Sequence, residues 1–220
     1  MNMPQGLRSE YRELLGGLYL ILDAALVSQA VLEDVLDEAV QAGVRIVQYR
    51  HKNSSMQEAY LRAKKLRALV PRGKMLFIVN DRCDLALAVE ADGVHLGQED
   101  LPVALARIIL GTNRLIGLST HHADQVRAAS QDEADYLGFG PIFPTTTKVQ
   151  HDPVVGVEGL ARIRTLTPLP VFAIGGISSS AVSGLRKAGA DGVAVASGIL
   201  RASDRAIAIR QFMDPFRPKN

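Results

Sequence analysis

Short, nearly unbroken apolar runs alternate along the chain with longer stretches in which apolar positions return every three or four residues. Leu18–Leu22 is such a run and closes on the carboxylate of Asp23, the pattern of a strand buried on both faces, as in parallel sheets. Val31, Leu32, Val35, Leu36, Ala39 and Val40 then repeat at helical spacing, and Gly43 stands where a helix ends on a left-handed cap. The alternation continues with strands at Val44–Tyr49, Met75–Val79, Gly93–Leu96, Leu115–Leu118, Tyr136–Phe139, Val171–Ile174 and Gly192–Ala196. Helices are predicted at 55–69, 83–90, 101–110, 122–131, 156–166, 179–188 and 203–213, with a short helix over 3–15 ahead of them. Eight strands alternating with helices imply a parallel sheet. Eight such units in about 200 residues imply an α/β fold closed as a single (β/α)8, or TIM, barrel. The expected organisation is a short N-terminal extension (1–17), a barrel (18–213) and a loose C-terminal tail (214–220).

An internal echo supports the repeat. Ala91-Asp92-Gly93, Ala134-Asp135-Tyr136 and Ala190-Asp191-Gly192 each lead from a helix into a strand. These turns fall at the N-terminal ends of strands, where barrel residues serve stability, so the three carboxylates are expected to be turn residues.

Chemistry is expected at the opposite ends of the strands. The second strand ends in Gln48-Tyr49-Arg50-His51-Lys52. Alternation sends Gln48, Arg50 and Lys52 to one side and Tyr49 and His51 to the other. Cations turned inward need an anion, which is either an internal carboxylate (Asp23 or Asp81) or a phosphate or diphosphate ligand. Asn80-Asp81 follows strand three and Gly97-Gln98-Glu99-Asp100 follows strand four. Two neighbouring carboxylates opposite an Arg/Lys pair suit Mg²⁺ shared with phosphate oxygens. Asp81 and Asp100 are the candidates, with Glu99 an alternative to Asp100. Ser119-Thr120-His121-His122 after strand five offers an N-cap or ligand hydroxyls. His95 reads as a satisfied core residue and Cys83 as a structural thiol. Gly140-Pro141-Ile142-Phe143-Pro144-Thr145-Thr146-Thr147-Lys148 is a stiffened loop that ends in hydroxyls and an ammonium, suited to an anion. Gly175-Gly176 after strand seven and Ala196-Ser197-Gly198 after strand eight mark a phosphate site common in this architecture. Two anion sites, one for a diphosphate with metal and one for a monophosphate, suit the joining of two phosphorylated small molecules.

Composition changes this picture little. The 220 residues carry 25 basic and 23 acidic side chains, for a net charge of +2. That balance, with no long basic run, argues against a nucleic-acid partner. One cysteine forms no internal disulfide, and no apolar run approaches a membrane span or a signal-peptide core, so a soluble, cytoplasmic protein without membrane partners is expected. A homo-oligomer is left open.

The quoted motifs over residues 18–200, together with Val79-Asn80-Asp81 and Ile174-Gly175-Gly176-Ile177, resemble the thiamine phosphate synthase (thiamine-phosphate pyrophosphorylase) family. The resemblance implies condensation of hydroxymethylpyrimidine diphosphate with hydroxyethylthiazole phosphate or its carboxylated form, by dissociative substitution at the pyrimidine methylene, with Mg²⁺. It implies a pyrimidine diphosphate site at Gln48, Arg50, Lys52, Asn80, Ser119 and Lys148, in the segment that includes Tyr49 and His51. Thr145, Thr146, Thr147, Gly176, Ala196 and Ser197 would bind thiazole phosphate, and Asp81 and Asp100 the metal. Arg50, Lys52 and Lys148 are the catalytic candidates, stabilising the leaving diphosphate. His51 stands where the family often has Glu, and Ala196 where a larger aliphatic residue is common. A thiazole tautomerase-like isomerase would need the phosphate site without the diphosphate–metal set. A non-catalytic phosphate-ligand sensor gives no reason for paired Asp81 and Asp100.

Overall fold

In the computed structural model, residues 6–52, 54–145 and 153–217 are described. Eight parallel strands close into a barrel in chain order. They are β1 (Gly17–Asp23), β2 (Ile46–Arg50), β3 (Leu76–Asn80), β4 (Gly93–Leu96), β5 (Leu115–Thr120), β6 (Tyr136–Phe139), β7 (Val171–Ile174) and β8 (Gly192–Val195). Register Gly17↔Gly192 between β1 and β8 completes the ring. The helices are α1 (Gly6–Glu13), α2 (Gln29–Ala42), α3 (Met56–Leu69), α4 (Cys83–Ala88), α5 (Val103–Leu110), α6 (Ala123–Gln131), α7 (Gly156–Arg164), α8 (Val182–Lys187), α9 (Ser197–Leu200) and α10 (Arg205–Met213).

Strand alternation divides the apolar residues into two cores. Leu18, Leu20, Leu22, Val47, Tyr49, Phe77, Val79, Leu137 and Phe139 point outward and pack beneath the helices. Tyr19, Ile21, Ile46, Leu76, Ile78, Leu115, Tyr136 and Phe172 point inward and fill the barrel. Strands buried on both faces explain why their sequences read as continuous apolar runs. Leu15 joins the inner core, and Tyr11 and Leu14 pack against it, so the N-terminal extension covers the floor of the barrel.

The three echoed aspartates have the structural role expected of them. Asp92 Oδ2 accepts the Phe77 N–H at 2.8 Å, Asp135 Oδ2 the Ile116 N–H at 2.9 Å, and Asp191 Oδ2 the Val171 N–H at 2.8 Å. Each also meets an arginine, respectively Arg67 at 3.5 Å, Arg107 at 2.7 Å and Arg164 at 2.9 Å. The carboxylates leading β4, β6 and β8 thus fasten the starts of β3, β5 and β7.

Several boundaries differ from the sequence reading. Strand β5 runs on to Thr120, so Ser119 and Thr120 are strand residues and not the N-cap of α6. That position is His122, and the Gln125 side chain accepts the His121 N–H at 2.7 Å. The seventh helix begins as a 3₁₀ turn at Ser179–Ala181 before α8. A short helix that the sequence reading did not include, α9, precedes the last helix, α10, which starts at Arg205 because Asp204 caps it by accepting the Ile207 N–H. The tail is partly tied down: Asp214–Phe216 form a 3₁₀ turn, Arg186 donates to the Pro215 carbonyl, and Phe216 packs on the outer core.

Candidate active site

The C-terminal ends of the strands surround a cavity of about 280 Å³. Its floor is apolar, formed by Ile21, Ile174 and Ala194, and its walls carry Asp23, Arg50, Ser119, His121, Thr145, Gly176, Ala196 and Ser197. Alternation accounts for the membership. Ile21 and Asp23 on β1, Arg50 on β2, Ser119 on β5 and Ile174 on β7 all share the inward parity of the barrel core.

One side is built for an anion by backbone. Gly175 and Gly176 both hold positive φ, +94° and +63°. A Cβ on Gly176 would lie 2.4 Å from the Pro144 carbonyl oxygen and 2.9 Å from Phe143 Cβ. Only glycine gives this turn and this close approach together. The Pro141 loop is fastened to the same place: the N–H groups of Ile142 and Phe143 donate to the carbonyls of Ile174 and Gly175 at 2.8 and 3.0 Å. Ser197 opens α9 beside them. The loop that the sequence marked as stiff therefore derives its rigidity from β7 as well as from its prolines. Thr145 reaches the cavity. Thr146, Thr147 and Lys148 lie outside the described residues.

The other side carries side-chain charge. Arg50 is 15% exposed and pairs with the buried Asp23 at 2.5 Å. Lys52 pairs with Asp81 at 3.1 Å. Of the two kinds of anion open to these inward cations, the internal carboxylates are the ones they meet in this structure. Asp23 also accepts the Ala25 N–H at 3.0 Å, which fixes its carboxylate at the strand end. Asn80 is half-buried at the end of β3, with the inward parity of Ile78. Gln48 is buried one layer deeper and donates to Tyr19 OH at 2.6 Å. Tyr49 and His51 do not join the set. Tyr49 lies in the outer core, and its hydroxyl meets His51 Nδ1 at 3.1 Å. Strand alternation turns both side chains away from the cavity, as the sequence reading expected.

Asp81 adopts φ +62° at the turn after β3. Burial pushes its carboxyl up, a hydrogen bond and the charge of Asp100 push the same way, and Lys52 opposes them. Asp100 is the residue brought to Asp81, while Glu99 is exposed. Two carboxylates brought this close need a proton or a cation between them. The pair therefore fits a divalent cation that has two protein ligands and takes its remaining oxygens from water or phosphate. Among the described residues no group of three or more His, Cys, Asp or Glu gathers as a metal site. His121 Nδ1 donates to the Gly140 carbonyl at 2.6 Å. Cys83 is buried, and burial pushes its thiol up.

The family model described as thiamine monophosphate synthase matches residues 18–199. The chain belongs to the thiamine monophosphate synthase family. Thiamine-phosphate synthase of Chloroflexus aurantiacus is 45% identical over 194 residues, which cover 88% of this chain and 89% of that one. The Methanospirillum hungatei enzyme of the same name is 41% identical over 198 residues, covering 90% and 96%. Among solved structures, thiamine phosphate pyrophosphorylase from Pyrococcus furiosus superposes with a TM-score of 0.82 at 38% identity, covering 93% of this chain and 96% of that one. The family is a transferase family, and the chain is an enzyme with thiamine-phosphate synthase activity. The matched segment coincides with the stretch that carried the resemblance in sequence, and these relatives give no support to the isomerase or sensor readings.

Sequence reasoning gave Asp23 only the part of an ion-pair candidate and did not place His121 at the cavity. The signal for Asp23 was present, since a carboxylate closing a fully apolar strand needs a cation. For His121 there was none, because its place depends on how far β5 extends.

Proposed function

We propose that the chain joins hydroxymethylpyrimidine diphosphate to hydroxyethylthiazole phosphate, or its carboxylated form, releasing diphosphate and, from the carboxylated form, also carbon dioxide. The observation that supports this reading is that one barrel mouth carries two different polar sets, each suited to an anion. Arg50, Lys52, Asp81 and Asp100 stand over β2–β4, while Gly175, Gly176 and Ser197 stand over β7 and β8. A substrate with two phosphoryl groups and a cation suits the first, and a monophosphate suits the second.

In the proposed step the bond from the pyrimidine methylene to the diphosphate oxygen breaks, and the electron pair leaves with diphosphate. The thiazole nitrogen then supplies the pair for the new carbon–nitrogen bond. Neither change calls for a protein nucleophile or general base, so the residues act by orientation and charge. Arg50 and Lys52 exchange their internal carboxylates for the diphosphate, and Lys148 adds a third cation. The glycine turn with Thr145, Thr146, Thr147, Ala196 and Ser197 anchors the thiazole phosphate and so aims its nitrogen. Asp81 and Asp100 would hold Mg²⁺, which when bound supplies positive charge to the leaving oxygens. No helix among the described residues is long and apolar enough to cross a membrane, which supports a cytoplasmic location.

The test is a coupling assay with both phosphorylated halves, run with Mg²⁺ and again after chelation. Thiamine phosphate and diphosphate in equal amounts, and loss of product on chelation, are expected. Folded protein that forms no product with Mg²⁺ refutes the substrate assignment, and full activity without divalent metal refutes the metal assignment.

A further inference from the structure

Helix α5 is apolar on every side. Val103, Ala106 and Leu110 are buried on its inner face, as the core-facing stripe of a barrel helix must be. Its outer face shows Ala104, Leu105, Ile108 and Ile109 to solvent, with Pro102 just ahead of its start. Leu105 is 49% exposed, Ile108 79% and Ile109 47%. Arg107 is the charged side chain of this helix, and its guanidinium is turned in to Asp135 at 2.7 Å. Every other described helix of eight residues or more puts at least one charged side chain into solvent. On α3 the exposed Leu61 stands near Lys64 and Lys65, and on α10 the exposed Ile207 stands near Arg210. Leu87 and Ala88 on α4, which packs beside α5, are exposed as well.

A helix that is apolar all round is one that is covered on both sides. The outer residues of α5 expose on the order of 400 Å² of apolar surface, the scale of the largest patch on a typical monomer, which is often functional. Under a twofold axis the same patch is buried on both copies. Two copies then supply about 800 Å², half of a standard interface of about 1,600 Å². The rest is the polar rim that such interfaces carry, here α4 and α6, the helices on either side of α5. Their charged side chains are already matched: Asp84 pairs with Arg82 at 2.6 Å and Asp124 with Arg127 at 2.8 Å. Charges matched within the chain do not repel an identical surface. They also offer little to a nucleic acid or an anionic membrane, which call for a basic surround. The relief suits a second helix. Ala104–Ile108 and Leu105–Ile109 are ridges at i, i+4 spacing, and ridges of this kind interlock where two helices cross.

We propose that the outer face of α5 is the interface of a homodimer, in which α5 of one copy packs on α5 of the second about a twofold axis. Ile108, the most exposed large apolar side chain among the described residues, stands at its centre. This face lies on the outer wall of the barrel, and its role is independent of the reaction proposed above.

Sedimentation velocity of the full chain at micromolar concentration reads the assembly, and twice the 23.7 kDa of one chain is expected. Ile108→Glu puts an unpaired charge at the centre of the face and should weaken the dimer by at least about hundredfold, leaving monomer at the same concentration. Because Ile108 is so exposed within one chain, the barrel itself tolerates the change. Ile207→Glu on α10 is the control and should stay dimeric. Methyl spectra of the wild-type protein with a soluble paramagnetic probe read the same face without any variant. The Ile108 and Ile109 signals stay sharp in the dimer, while that of Ile207 broadens. Wild-type protein with the mass of one chain overturns the proposal, and if that monomer floats with phosphatidylcholine vesicles the face belongs to a membrane instead. An oligomer that survives Ile108→Glu, or that dissociates equally with Ile207→Glu, also overturns it, as does an Ile108 signal broadened in the oligomer.

Discussion

Replacing Asp135 by alanine separates stability from catalysis in this barrel. Asp135 is fully buried at the start of β6. Its carboxylate accepts the Ile116 N–H at 2.9 Å and pairs with Arg107 at 2.7 Å and Arg12 at 3.0 Å. Asp135→Ala leaves the Ile116 N–H without this acceptor, at about 1–3 kcal/mol. It also leaves the Arg107 guanidinium, only 10% exposed, without its counter-charge. Breaking a buried pair in this way costs about 3–5 kcal/mol. The Arg12 pair adds less than about 1 kcal/mol, because Arg12 is half-exposed and screened. Arg107 keeps bonds to the carbonyls of Gly111, Arg114 and Glu133, which holds the total near about 4 kcal/mol. For a chain of this length that lowers Tm by about 10 °C. Circular dichroism melts measure the shift, and steady-state turnover at room temperature measures the site. Turnover per folded molecule should stay within about twofold, since Asp135 lies at the opposite end of the strands from the cavity. A Tm shift below about 3 °C, or a tenfold loss of kcat in fully folded protein, would refute the reasoning.

The remaining predictions concern the other end of the strands. Asp81→Ala should abolish most turnover while Tm changes little, because it removes a carboxylate whose burial and Asp100 neighbour already disfavour its charge; unchanged rates at saturating Mg²⁺ would contradict the metal role. Gly176→Ala should raise the KM for thiazole phosphate by at least about tenfold, since φ +63° and a 2.4 Å approach to the Pro144 carbonyl oppose any Cβ; a KM change confined to the pyrimidine substrate would contradict the assignment of the glycine turn. Lys148→Ala should mainly slow the chemical step and Thr147→Ala mainly weaken thiazole phosphate binding, as single-turnover rates and substrate titrations would separate; equal effects on one constant would contradict that division.

Asp81 and Asp135 also show how far the residues alone can be read. Both are aspartates beside a strand. The Ala-Asp repeat before β4, β6 and β8 identifies Asp135 as a turn residue from its position in the βα unit, and its hydrogen bond to Ile116 agrees. Asp81 reads as a site residue because it follows a strand, and Asp100 comes to meet it. Where the reading was incomplete, the missing quantity was a partner or a boundary. Ser119 and Thr120 read as a cap because hydroxyls before a helix usually are, but hydrogen bonds to β6 carry β5 two residues further. Tyr49 and His51 follow from alternation alone, and the outer core to which Tyr49 belongs confirms the face.

The sequence by itself determined the eightfold alternation, the closed parallel barrel and the end at which chemistry occurs. Those follow from local apolar periodicity and turn chemistry, repeated often enough to leave one architecture. It also determined which residue types stand at each strand end. Tertiary structure alone decided which of them meet. The Arg50–Asp23 and Lys52–Asp81 pairs depend on the stagger between neighbouring strands. A row of hydrogen-bonded side chains, Gln48, Tyr19, Tyr136, His95 and Ser119, crosses the barrel through β1, β6 and β4. Such contacts join residues up to 117 positions apart, and no local pattern encodes them. They arise because closing the sheet turns every inward side chain toward a common axis, where the available volume and the need to satisfy each buried polar group select the partners.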